Sequence, residues 1–268
     1  MPVAARLIVL AAAVTALAGV AGCQPGTLFG VSPDTTERRV PDGTLDPAAA
    51  VQTLQGLPVV PAGALTGYDR DCGKGHACVF GPAWSDDVDV AGGHNGCDTR
   101  NDVLNRDLHA GQVGQAPVPK RYREPGHCVL TEGVLDDPYT GRTIHFTKQD
   151  AGVVQVDHVV ALAAAWRAGA ASWDQQRRNN LANDPRNLLV VDAGTNQSKG
   201  DDTAEEWQPP NAAYHCEYAR IVVTVKAAYQ LTVTAAEQAA LEAALDGCTP
   251  PQAPQPQQPT QSGGTATG

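Results

Sequence analysis

Cysteine usage constrains this chain more than any other feature. Six of its seven cysteines, Cys72, Cys78, Cys97, Cys128, Cys216 and Cys248, run from residue 72 to residue 248 of 268. How to read them depends on the first 22 residues, MPVAARLIVLAAAVTALAGVAG, where Arg6 precedes an unbroken apolar stretch that ends in small residues. That is a secretory signal pattern. An even number of cysteines in an exported chain reads as three disulfides, whose connectivity spacing alone does not fix. None forms a C-x-x-C pair, which argues against a zinc site. The cysteines also mark the limits of one domain, expected over residues 64–248.

The flanks look different. Val20-Ala21-Gly22-Cys23 resembles the lipobox of bacterial lipoproteins. The resemblance implies that Cys23 is lipidated and becomes the new N-terminus, on the outer face of the cell membrane. Acyl chains at about 0.8 kcal/mol per buried CH₂ make a stable anchor, so contact with the membrane is expected through lipid alone. Residues 23–63 mix Gly, Pro, Thr and Asp around one short helix at Pro47–Leu54 and read as a tether. Residues 249–268 are Pro, Gln, Gly and Thr and cannot bury a core, so a disordered tail is expected. The formal charge is −10, and −11 without the first 22 residues. This excludes a polybasic arm but not a locally basic groove.

Within the domain, Val103, Leu104 and Leu108 recur at helical spacing, and Asp136-Asp137-Pro138-Tyr139-Thr140-Gly141 is a turn. Thr143–Phe146 and Val153–Asp157 alternate as strands, and residues 159–170 form an amphipathic helix. Asn187–Val191 is a buried strand, with Asn196 opening the next helix. Tyr218–Leu231 is helical, and Thr234-Ala235-Ala236-Glu237 is a capping box for a last helix through Leu245.

Asp157-His158 ends one strand, Asn187 opens the next, and Asn196-Gln197-Ser198-Lys199 follows. Taken singly these are ordinary residues: a surface or core pair, a turn end, a helix cap. In this order they resemble the HNH, or ββα-metal, nuclease signature. The wider run, with Asn183-Asp184-Pro185 and Trp207-Gln208-Pro209-Pro210, resembles the branch shared with the C-terminal domain of GmrSD-type restriction endonucleases. Secreted members of that branch carry stretches like Cys97-Asp98-Thr99-Arg100 and the turn at 136–141. The resemblance implies an α+β fold: a ββα-metal (HNH, His-Me finger) core with an added N-terminal lobe and C-terminal helices, cross-linked by disulfides. It implies an endonuclease that hydrolyses phosphodiester bonds of nucleic acid, DNA foremost, outside the cytoplasm.

The residue chemistry fits that reading. Neutral His158 can accept a proton from water near pH 7, and in the family an Asn at the Asn187 position helps hold the base and its loop. Asp157 and Asn196 are hard oxygen ligands that suit one Mg²⁺ or Mn²⁺ keeping several waters. Lys199, one helical turn after Asn196, is expected to meet a phosphate, and Arg100 is a second candidate. Twenty-eight residues lie between His158 and Asn187, and Arg167, Arg177, Arg178 and Arg186 among them offer a local basic surface. No Gly-x-x-x-x-Gly-Lys loop is present, so no nucleotide-triphosphate site is expected. Two rivals stand beside this reading: an envelope lipoprotein that uses the scaffold only to bind, and a nuclease acting on RNA. Oligomeric state is not encoded in any pattern found.

Overall fold

The computed structural model describes residues 40–124 and 127–248. The signal segment, Cys23 and the tail from 249 onward lie outside the described residues. In chain order the elements are α1 (Pro47–Gly56), α2 (Thr99–Asp107), β1 (Gly111–Val113), β2 (Ala116–Val118), β3 (Arg121–Tyr122), β4 (Leu130–Asp136), β5 (Thr143–Thr147), β6 (Val154–His158), α3 (Leu162–Arg167), α4 (Gln175–Asn183), β7 (Leu188–Asp192), α5 (Ala193–Lys199), α6 (His215–Tyr229) and α7 (Ala235–Asp246). The result is a mixed α+β domain, as expected.

All three described sheets are small and antiparallel: β1–β2, β3–β4–β5 and β6–β7. Strand β7 organises them. Side chains alternate across a strand, and here both faces are buried. Leu188 and Val190 join Val154, Val156, Phe146 and Leu104 in one core, whereas Leu189 and Val191 join the larger core of α1, α3, α6 and α7. The same alternation on β6 turns Val154 and Val156 to the first core and leaves Asp157 for the other side. At roughly 1.5–3 kcal/mol per buried large aliphatic side chain, these two cores dominate stability.

Helix boundaries follow cap chemistry. Asp46, Asp98, Asp174, Asp192 and Thr234 each accept a backbone N–H from the first turn of α1, α2, α4, α5 and α7. The cap of α5 is therefore Asp192, and Asn196 sits inside the helix rather than opening it. At Thr234 half of the capping box forms, because Glu237 turns its carboxylate to Lys226 instead. The helix expected over 159–170 is shorter. Val159 N–H donates to the Asn187 carbonyl and Val160 N–H to Asn187 Oδ1, which holds both residues extended and delays the helix to Leu162.

The tether expectation is corrected over its described part. Ala50 and Leu54 of α1 are fully buried in the larger core. The Leu45 amide donates to Thr224, and Arg220 Nε donates to the Leu45 carbonyl. Residues 40–63 thus belong to the fold. The disulfides pair Cys72–Cys78, Cys97–Cys128 and Cys216–Cys248. The last joins the start of α6 to the second residue after α7, reinforcing the buried Lys226–Glu237 ion pair between the same helices (2.6 Å). Replacing both Cys216 and Cys248 with Ser is expected to lower stability by about 3–4 kcal/mol, the chain-entropy value for a loop of this length, read from the denaturant midpoint.

Candidate active site

Strands β6 and β7 followed by α5 form a strand–strand–helix unit, and three of the expected site residues meet at one end of it. Asp157 and His158 close β6. Lys199 is the last residue of α5, and its side chain is fully buried. Its Nζ donates to Asp157 Oδ1 and to the His158 carbonyl, both at 2.8 Å. The expectation that Lys199 meets a phosphate is therefore corrected: its ammonium has no exposed surface and is committed to Asp157.

The second oxygen of Asp157 is also engaged. Tyr139 donates its hydroxyl to Asp157 Oδ2 at 2.5 Å. Burial, with the Asp157 carboxylate beside it, pushes the Tyr139 phenol well above its ordinary range, so it remains a donor. Tyr139 is set in place by the 136–141 turn. Asp137, itself buried, accepts from the Tyr139 and Thr140 amides and from the Asp192 amide at the end of β7. Gly141 completes the turn at φ 71°, a conformation that favours glycine. Both oxygens of Asp157 are thus engaged, by Lys199 and by Tyr139, while the residue still lines the cleft described below.

His158 is differently placed. Its Nε2–H donates to the Ala182 carbonyl in the last turn of α4, at 2.8 Å. That fixes the tautomer and leaves the lone pair of the neutral ring on Nδ1. Trp84 stacks over the imidazole, with ring centroids 5.7 Å apart and planes at 10°. Trp84 itself adopts φ 59°, unusual for a bulky residue and held by its surroundings. Burial is the main cause that pushes the His158 imidazole down to about 4. The Ala182 carbonyl and Asp157 oppose this shift, while the positive charges of Arg70 and Lys199 add to it. The ring is neutral at pH 7.

Asn187 is fully buried and clamps the chain just after the base. Its Oδ1 accepts from Val160 N–H and its Nδ2 donates to the Val160 carbonyl. It acts on His158 through this backbone, as a positioning residue.

A cleft of about 460 Å³ opens beside His158, lined also by Tyr68, Arg70, Asn196, Gly200 and Asp201. A smaller cavity of about 140 Å³ lies against His158 as well, walled by Phe80, Pro82, Trp84 and Leu162. Among the described residues no cluster of three His, Cys, Asp or Glu could hold a metal. The cleft does offer oxygen. Asn196 Nδ2 donates to Gln155 Oε1 at 2.9 Å, so the amide oxygen is its other arm, and the Asp201 carboxylate shares the cleft. One amide oxygen and one carboxylate suit a Mg²⁺-type ion that keeps waters and takes phosphate oxygens, rather than zinc.

Arg100 lies on α2 and is not among the cleft residues. Of the four arginines expected to give the insert a basic surface, Arg167 is exposed and the other three are committed. Arg177 donates to the Tyr229 carbonyl and covers Trp173, Arg178 donates to the Val79 and Trp173 carbonyls, and Arg186 pairs with buried Asp184. These arginines hold the fold. Sequence reading missed Tyr139, Trp84, Tyr68 and Arg70. Only Tyr139 carried a signal, being inside a turn already singled out.

A neutral, oriented imidazole thus sits on the wall of a polar cleft, in a chain that is similar to a nuclease-type family. Residues 118–244 match the family described as GmrSD restriction endonucleases, C-terminal domain. A protein of Arthroderma benhamiae described as "Uncharacterized secreted protein" is 39% identical over 203 residues, covering 75% of this chain and 85% of that protein. No solved structure is matched. The chain belongs to one family with this secreted relative, its residues 118–244 are similar to the GmrSD C-terminal domain, and its three disulfides accord with an oxidising compartment.

The folded His158 value lies below the ordinary imidazole value of about 6.5, so the unfolded chain binds the extra proton first. Stability from neutral His158 is present above about pH 6.5 and is lost as pH falls towards 4. An NMR titration of the His158 ring is expected to show its midpoint near 4, moving towards 6.5 in Trp84→Ala.

Proposed function

We propose that the chain is a metal-dependent HNH endonuclease that hydrolyses phosphodiester bonds of DNA outside the cytoplasm. The observation that carries this reading is His158. It is neutral at physiological pH, held by the Ala182 carbonyl through Nε2, and placed on the wall of an open polar cleft. The order β6–β7–α5, with the base ending the first strand and Asn196 on the helix, supports a ββα-metal core.

In the reaction, His158 Nδ1 takes the proton of a water in the cleft as its oxygen attacks phosphorus in line with the departing 3′ oxygen. Nε2 stays protonated throughout, so the charge gained by the ring is shared with the Ala182 carbonyl and with the adjacent Asp157. Asn187 keeps the backbone after the base extended, and Lys199 holds Asp157 and the His158 carbonyl from beneath. A bound Mg²⁺ or Mn²⁺, taken by Asn196 with Asp201 alongside, would supply Lewis-acid stabilisation of the phosphoryl and leaving oxygens. Asp157 serves as the charge that orients and balances the site.

The experiment is a nicking assay on plasmid DNA with protein produced in an oxidising compartment. Cleavage is expected with Mg²⁺ or Mn²⁺ and none with EDTA, and His158→Ala is expected to lower the rate by about 10²–10⁴-fold. RNA cut in preference to DNA would transfer the reading to a ribonuclease. Folded, disulfide-bonded protein that leaves both polymers intact under every metal would overturn it in favour of a binding lipoprotein. The anchor proposed at Cys23 has its own test: in a bacterial host, Cys23→Ser should move the protein from the membrane fraction to the soluble exported fraction.

A further inference from the structure

A phosphodiester needs a cation at the cleft, and the residues first expected to supply it are committed elsewhere. Lys199 is buried against Asp157, and Arg177, Arg178 and Arg186 brace the fold. Arg70 is different. It is exposed, it is the Lys or Arg among the residues lining the large cleft, and it also lines the smaller cavity on the Trp84 side. Its charge reaches His158.

The segment carrying Arg70 is fixed rather than loose. Cys72–Cys78 closes a short loop. The Cys78 amide donates to the Asp71 carbonyl and the Val79 amide to the Asp69 carbonyl, so the chain doubles back beside Arg70. The neighbouring acids are engaged within this loop, although Asp71 is largely exposed. Asp69 accepts from the Ala77 amide and meets His76 Nδ1, while Asp71 accepts from the Gly73 amide. Neither is turned to the Arg70 guanidinium. Tyr68 packs edge-on against Phe80 and Trp166, anchoring the loop to the larger core. Its hydroxyl is buried beside the Arg70 guanidinium, with which it interacts, and keeps an O–H to donate at the cleft.

The geometry points to Arg70, presented by this disulfide-closed loop, as the residue that receives the substrate phosphate at the junction of the two cavities. This rests on the endonuclease reading above. A guanidinium can bind two phosphate oxygens at once. The apolar walls of the smaller cavity, Phe80, Pro82, Trp84 and Leu162, suit a sugar or base ring rather than a second phosphate. The ligand is therefore a phosphodiester with organic groups on both sides, and inorganic phosphate should compete poorly.

The test measures binding of a fluorescent DNA duplex by anisotropy, across a salt series, in the full exported chain carrying His158→Ala so that the DNA stays intact. Adding Arg70→Ala should weaken binding roughly tenfold and reduce the slope of log K against log salt by about 0.9, the value for one lost phosphate contact. Arg70→Lys should restore the slope but only part of the affinity, since the two-pronged contact is gone. Melting temperatures of all variants report whether the loop still folds, and a purely structural role would not be rescued in slope by Lys. Affinity and slope unchanged by Arg70→Ala would overturn the assignment, as would absence of DNA binding by the parent. The two readings fail separately. Arg70-dependent binding by a protein that never cuts nucleic acid removes the endonuclease and keeps Arg70, whereas equal cleavage with and without Arg70 removes Arg70 and keeps the endonuclease.

Discussion

The contact on which the rest of the site depends is the buried bond between Lys199 and Asp157. Removing two charges from water is costly, and the pair stands only because each partner is satisfied further. Lys199 has the His158 carbonyl as a second acceptor, and Asp157 has the Tyr139 hydroxyl as a second donor. Three segments distant in sequence, the 136–141 turn, the end of β6 and the end of α5, are thereby locked at one point. A shift of any of them by one residue would leave a charge unpaired in the core. The pair therefore specifies register, and with it where the neighbouring imidazole sits.

The division of labour at Asp157-His158 follows from strand geometry. Adjacent residues at a strand end point to different surroundings. Asp157 turns to Lys199 and Tyr139 at the base of the cleft, whereas His158 reaches the α4 carboxyl end and the cleft wall. The base is then tuned by neutral surroundings, the Trp84 face and general burial, rather than by its acidic neighbour. This explains why its affinity for protons falls although a carboxylate is next to it in sequence.

What could be read from the sequence was local chemistry with a period or a cap. The strands at 143–147, 154–158 and 188–192 alternate or run apolar, and α7 announces itself at Thr234. The base, the two asparagines and the turn were legible as an ordered set. Tertiary context decided the rest. Nothing in Lys199 distinguishes a surface lysine from one that reaches a carboxylate 42 positions earlier. The arginines of the insert read as a basic patch because their carbonyl partners, Val79 and Tyr229 among them, come from other parts of the chain. Helix α1 looked like linker because its burial is created by α6 and α7, nearly two hundred residues away.

These corrections alter how an acidic protein would handle a polyanion. With a net charge of −10, the overall field repels DNA, and a basic patch would have offset this locally. The fold instead commits three of the insert's four guanidinium groups, two to backbone carbonyls and one to Asp184. Affinity would then come from contacts made inside the cleft, where low dielectric strengthens a single Arg–phosphate bond far beyond its worth in water. Encounter without long-range attraction is slow, and sliding along a duplex draws on diffuse basic surface. Such a site discriminates by whether a phosphodiester can enter between the Arg70 loop and α5, not by charge density at a distance.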